Sequence, residues 1–255
     1  MPPIREVDPP RGLPSAVTFD CWQTLLVEDR WEVAHGLRVD ALAAAAEQAG
    51  RPVAREEAGR AFDAAWGRHM DLWAREVTSG AREVAQWALE ELGLDPRGDY
   101  FEPLLKRFEE ASHSGEVRAI DGAVETLARL EAEGVVCGLI CDTGLTPGRV
   151  VRQLLDRQGL LERLRTTIFS DEWSLPKPHP RVFHAALDDL GIPPEEAVHV
   201  GDLRRTDIAG ARAVGMGTIR IRATNDDLTP LADADHVADS HPDVLRLLGL
   251  SPVSR

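Results

Sequence analysis

Four short stretches of the chain carry side chains able to do chemistry. The first is Asp20-Cys21-Trp22-Gln23-Thr24, which follows the apolar run Ala16-Val17-Thr18-Phe19. The others are Cys141-Asp142-Thr143-Gly144, Lys177-Pro178, and Gly201-Asp202 with Asp207 five residues on. A carboxylate placed at the end of a buried run can attack phosphorus or carbon and form a covalent intermediate that water later cleaves. A transition state at phosphorus needs positive charge beside it, which Mg²⁺ supplies through oxygen ligands. Each stretch alone is weak evidence. An Asp after an apolar run is more often a turn or helix-cap residue, and a single lysine is ordinarily surface. Lys177 is less ordinary, because the only other lysine is Lys106.

The elements that must position these groups are legible from the pattern. Short apolar, β-branched runs predict strands at 16–19, 135–140, 166–169, 197–200, 217–221 and 236–238. Helical spacing fills the gaps at 148–158, 180–190 and 208–214. Strand and helix in alternation predict an α/β fold, a doubly wound parallel sheet with helices on both faces. Ligands of such sheets sit at the carboxyl ends of the strands, where Asp20, Asp142 and Asp202 all fall. From about 28 to 117 the alternation stops, and four helical stretches (31–49, 55–77, 81–92 and 100–112) predict an inserted all-α unit. The expected organisation is a loosely held lead-in over 1–14, a core over 15–27 and 118–250, and a helical cap over 28–117.

Composition narrows the function classes. The 255 residues are 43% hydrophobic, enough for a sizeable core, and carry a net charge of −14. That sign disfavours nucleic acid and anionic membrane surfaces as partners but leaves small anionic substrates open. Three cysteines, Cys21, Cys137 and Cys141, form no disulfide framework. The opening MPPIREVDPPRGLP has no apolar run, so a cytoplasmic protein is expected. Nothing in the sequence specifies an oligomeric state.

In their order and spacing these stretches resemble the haloacid dehalogenase superfamily, in the subfamily with a helical cap between its first and second motifs. The resemblance runs from about residue 15 to 248 and is strongest in SLPKPHPRVF around Lys177 and HVGDLRRTDIAGARAVGMGTIRIR around Asp202. It implies a Rossmann-like core and a Mg²⁺-dependent hydrolase acting on a small phosphorylated or activated metabolite. Asp20 is then the nucleophile. Asp20, the Trp22 carbonyl and Asp202 are the metal ligands. Lys177 neutralises the nucleophile and touches the substrate anion, and Asp207 holds Lys177 or a metal-bound water. Cys141, Asp142, Thr143 and the Trp22 side chain are the expected substrate-binding groups.

Two positions depart from the family pattern. Its phosphatases carry an acid two residues after the nucleophile, and this chain has Trp22 there. Loss of a positioned acid typically removes about 10²–10⁴ in rate. Its second motif usually offers a hydroxyl where this chain has Cys141, a poor donor, with Thr143 as the candidate substitute. Three other readings follow. A dehalogenase needs no acid, although the metal-type Asp202 and the Arg204 nearby argue against it. A phosphonate-cleaving enzyme needs a cap lysine, for which only Lys106 is available. The third is a catalytically weakened binding or regulatory protein. In the cap, Trp31, Trp66, Trp73 and Trp87 are candidates to line a substrate cavity but are expected rather to pack the cap's own core, and Arg30, His35 and Arg38 are candidates for substrate contacts whose commoner fate is solvated helix surface. His199 and Cys21 are expected in the core of the sheet, and His179 is a remote candidate for the site.

Overall fold

The computed structural model describes residues 12–251, so residues 1–11 of the expected lead-in lie outside the described part. In chain order the elements are β1 (Ala16–Phe19), β2 (Leu26–Glu28), α1 (Trp31–Gln48), α2 (Arg55–Ala74), α3 (Ala81–Glu91), α4 (Phe101–Glu110), β3 (Val117–Ala119), α5 (Ala123–Ala132), β4 (Val136–Cys141), α6 (Gly148–Arg157), β5 (Thr166–Phe169), α7 (Ser170–Trp173), α8 (Pro180–Leu190), β6 (Ala197–Gly201), α9 (Ala209–Ala213), β7 (Gly217–Ile221), β8 (His236–Ala238) and α10 (His241–Leu247). Six of the strands form one parallel sheet in the order β5-β4-β1-β6-β7-β8. The chain builds outward from β1 to β4 and β5, then returns to β6 and builds the other way. The order therefore reverses between β1 and β6, the place where open α/β sheets leave a crevice.

Alternation along the strands divides the core. Val17, Phe19, Leu139 and Val200 face one side and pack with Leu127, Val151 and Val244 from α5, α6 and α10. Ala16 and Ile140 face the other and pack with Val182, Phe183 and Ala186 of α8. Central β1 is buried along its whole length, which is why it reads as a continuous apolar run rather than an alternating one.

Helices α1 to α4 pack around a separate apolar cluster that includes Leu42, Phe62, Leu89, Phe101 and Phe108, joined by Leu145 from the loop after β4. One feature differs from the reading of the sequence. Where no strand was expected, β2 and β3 pair antiparallel at the two crossings into the cap, with Val27 opposite Arg118. Three-residue strands are too short to show a period, and their partners lie some 90 residues apart in the chain.

Candidate active site

Asp20 follows β1 directly. Its amide donates to Val200 O at 2.8 Å, which ties it to β6. The chain then turns back sharply: Cys21 O accepts from the amides of Leu25 and Leu26, and Gln23 takes a positive φ of 63°. This tight turn keeps the Asp20 carboxyl at the mouth of the crevice and sends Trp22 into it.

Lys177 is 2% exposed. Its Nζ donates to Asp20 Oδ1 at 2.5 Å and to Asp207 Oδ1 at 2.6 Å. Asp207 is equally buried and accepts further bonds from His199 Nε2 at 3.3 Å and from the Leu203 amide at 3.0 Å. Burial pushes the Asp207 carboxyl up, but Lys177 and His199 outweigh it and hold it well below the usual carboxylate range. His199 is fixed by Thr18 Oγ1, 2.8 Å from Nδ1, so it is the satisfied core histidine that its strand position implied. Cys21 is likewise fully buried in the core. His179 instead caps α8, accepting from the Arg181 amide.

Asp202 follows β6 and faces Asp20 across the switch point. Asn225 Nδ2 donates to its Oδ2 at 2.6 Å. Burial raises the Asp20 carboxyl to about 7 against the pull of Lys177, and burial with the charges of Asp20 and Asp207 raises Asp202 to about 8. Asp20, Asp202 and Asp207 offer oxygens within 4.8 Å of one another. Those of Asp207 already accept several donors, so Asp20 and Asp202 carry the free donor atoms. An all-oxygen set with more negative charge than one lysine neutralises suits a hard cation such as Mg²⁺.

These groups open into a cavity of about 600 Å³ between sheet and cap. Trp22, Asp142 and Thr143 line it from the core side, as expected of substrate contacts, but two details of the second motif differ. The Cys141 thiol does not reach the cavity: strand alternation turns it into the apolar core, and burial pushes its pKa well up. The Thr143 hydroxyl is engaged too, donating to Asp171 Oδ1 at 2.9 Å and accepting from the Asp171 amide. Among the described residues the amides of Gly144 and Leu145 make no hydrogen bond, so the backbone here supplies the free donors.

The cap side departs further from the reading of the sequence. Trp31, Trp66 and Trp73 line the cavity, and only Trp87 packs away from it, beneath the Arg68 guanidinium. Arg38 was expected on solvated surface. It is instead 4% exposed and faces the cavity. Its place on the stripe Ala34-Arg38-Leu42-Ala45 of α1 is the signal that locates it. His69 also lines the cavity, stacked on Trp66 at 4.7 Å with Nδ1 2.8 Å from Ser79 Oγ. Arg30, by contrast, is exposed and pairs with Glu116. His35 is wedged between Trp31 and Phe62. Neither Asn225 nor His69 carried any sequence signal.

Comparison with known proteins agrees with this geometry. Residues 14–215 match the family model of haloacid dehalogenase-like hydrolases. Among curated relatives, the glyceraldehyde 3-phosphate phosphatase of Pyrococcus furiosus is 35% identical over 137 residues, 52% of this chain and 55% of that one. An (S)-2-haloacid dehalogenase of a Pseudomonas species is 34% identical over 159 residues, 62% of this chain and 63% of that one. The matches thus span little more than half to under two thirds of those relatives. A crystal structure of a HAD phosphatase from Thermococcus onnurineus superposes with a TM-score of 0.63 at 26% identity, covering 94% of this chain and 100% of that one. With a family model spanning most of its length and Asp20, Lys177, Asp202 and Asp207 assembled at one switch point, the chain belongs to the haloacid dehalogenase-like hydrolases.

Proposed function

We propose that the chain is a Mg²⁺-dependent phosphatase working through an aspartyl intermediate on a small phosphorylated metabolite in the cytoplasm. The observation that carries this reading is Lys177 held between Asp20 and Asp207, with Asp202 facing them. Among the described residues no helix is long and apolar enough to cross a membrane. The names of the phosphatase relatives point the same way.

Asp20 Oδ1 is held by Lys177, which leaves Oδ2 to attack phosphorus. As that bond forms, the bond from phosphorus to the leaving oxygen breaks, and its electron pair stays with the leaving group. Water then attacks the same phosphorus and returns Asp20 as a carboxylate with inorganic phosphate. Asp20, Asp202 and the Trp22 carbonyl would hold Mg²⁺, which when bound would supply positive charge to offset the phosphoryl oxygens. Lys177 neutralises the nucleophile, and the Gly144 and Leu145 amides are placed to take the phosphoryl oxygens. Trp22 gives no proton to the leaving oxygen, so this site favours leaving groups of low basicity, such as aryl and acyl phosphates, over simple alkyl esters.

The dehalogenase reading has one observation in its favour, since halide leaves unprotonated and an aromatic residue at Trp22 suffices. Asp202 opposite Asp20 speaks against it. The deciding experiment follows turnover of aryl phosphates, acyl phosphates and haloacids with Mg²⁺ or with chelator. Phosphate release that stops with chelator and in Asp20→Asn is the expected result. Halide release that ignores chelator moves the protein to the dehalogenases. No turnover on any compound, with ligand binding unchanged in Asp20→Asn, makes it a binding protein.

A further inference from the structure

A second cation lines the same cavity from the cap side. Arg38 projects from α1, and two hydrogen bonds fix its guanidinium: Nε donates to Phe108 O at 3.0 Å and Nη2 to Ser112 Oγ at 3.1 Å. Ser112 Oγ in turn lies 2.8 Å from Thr146 Oγ1, on the core loop that carries Asp142 and Thr143. The guanidinium is therefore positioned from both cap and core. Its Nη1 makes no hydrogen bond among the described residues, and no carboxylate among them comes within 4.0 Å of it. The acid whose field reaches it is Glu28, on β2, which lines the same cavity and shares Ser112 with Arg38, while its Oε1 lies against Gly115 without a hydrogen-bond partner. A buried, oriented guanidinium without a close counter-ion is costly unless an anion completes it. The same cavity is walled in large part by flat aromatic rings, Trp31, Phe62, Trp66 and Trp73, beside the polar Glu28 and His69.

We propose that Arg38 receives a carboxylate carried by the substrate at the end remote from the reacting phosphoryl group. The substrate class is then a phosphorylated carboxylic acid with a flat, apolar body between its two charged ends. This assignment rests on the hydrolase reading of Asp20. A cavity of about 600 Å³ accommodates a body of one or two rings.

The test compares phenyl phosphate with its 3- and 4-carboxyphenyl analogues. A charge-assisted hydrogen bond in such a site is worth about 10- to 100-fold. The wild-type protein is expected to favour a carboxylated analogue in kcat/KM by that factor, mainly through KM. In Arg38→Met the preference collapses toward one, and Arg38→Lys restores part of it. A purely structural arginine would lower stability without moving this ratio. A second readout needs no turnover: quenching of indole fluorescence by 3- and 4-hydroxybenzoate, with phenol as the control, in wild type and Arg38→Met. If aryl phosphates are hydrolysed with no carboxylate preference in the wild-type protein, the Arg38 assignment is overturned and the hydrolase stands. If none is hydrolysed but the hydroxybenzoates still bind in an Arg38-dependent way, the hydrolase reading fails and the anion site stands. Equal binding of hydroxybenzoates and phenol removes the site whatever the turnover.

Discussion

Trp73 Nε1 donates to Asp142 Oδ2 at 3.0 Å, while Asp142 Oδ1 accepts from the Lys177 amide at 2.8 Å. One carboxylate thus joins the cap helix α2 to the loop that carries Lys177. The other face of the Trp73 ring is covered by Arg205, whose guanidinium carbon lies 4.1 Å from the ring centroid. Two N–H donors converge on this side chain, which explains an Asp here: an Asn would turn its NH₂ group toward one of them. Asp142→Asn is expected to lower stability by about 1–3 kcal/mol, the cost of a stranded buried donor. Trp73→Phe removes one hydrogen bond and costs less. Urea titration of the single and double variants checks this. Recovery in the double variant identifies Trp73 as the stranded donor.

Lys177 holds two buried carboxylates together. Lys177→Met leaves Asp20 and Asp207 facing each other without their shared cation, Asp207 keeping only His199 and the Leu203 amide, a loss of about 3–5 kcal/mol. Adding Asp207→Asn in that background removes one of the stranded charges and is expected to restore part of the stability but none of the activity. Chemical denaturation alongside phosphate release separates the two effects.

Trp22 stands where an acid is expected, and its side chain already lies in the cavity. Trp22→Asp therefore places a carboxyl beside the leaving oxygen. Turnover of alkyl phosphates is expected to rise about 10²-fold, and that of aryl phosphates far less, because only the former need the proton. Equal changes on both classes would show that the new carboxyl does not reach the leaving group.

Asp20 and Asp202 were legible because apolar runs on the two strands flanking the switch point each end at a carboxylate. Lys177 was legible through its rarity and the motif around it. Arg38 was legible only through its place on the buried stripe of α1, and His69 and Asn225 were not legible at all, because each joins the site by packing between segments far apart in the chain. The Thr143 hydroxyl shows a different limit. Its side chain is the right type at the right place, yet Asp171, 28 residues on, engages it. The β2–β3 ribbon was missed for want of length, and Trp31 and Trp73 were misassigned because a helical stripe does not say what it faces, while Trp66 both packs against the cap cluster and lines the cavity.

Burial pushes both His69 and His241 down to about 4, whereas an unfolded histidine titrates near 6.5. Between those values the unfolded chain takes up protons that the native state refuses. Their contribution to stability is therefore complete above about pH 6.5 and is lost as pH falls toward 4, at up to about 1.4 kcal/mol per pH unit for each histidine. Asp20 and Asp202, whose carboxyls burial raises to about 7 and about 8, act in the opposite sense over the same range. The histidine contribution is therefore read as a difference: relative to wild type, His241→Gln, which retains a donor for Thr24 O, is expected to gain stability as pH falls from 7 to 5.

The helical insertion enters and leaves the core as neighbouring rungs of one ladder, Glu28 opposite Val117 and Val27 opposite Arg118. A tight two-residue turn can bridge such a pair, so the whole module from α1 to α4 is exchangeable as a cassette between relatives sharing this ladder. The cut would divide the charged end of the cavity: Arg38 travels with the cassette, and Glu28 stays behind on the rung that receives it. A graft therefore sets Arg38 beside whatever residue the recipient holds at that rung, and must also find partners for Trp73 and Ser112, which Asp142 and Thr146 supply here.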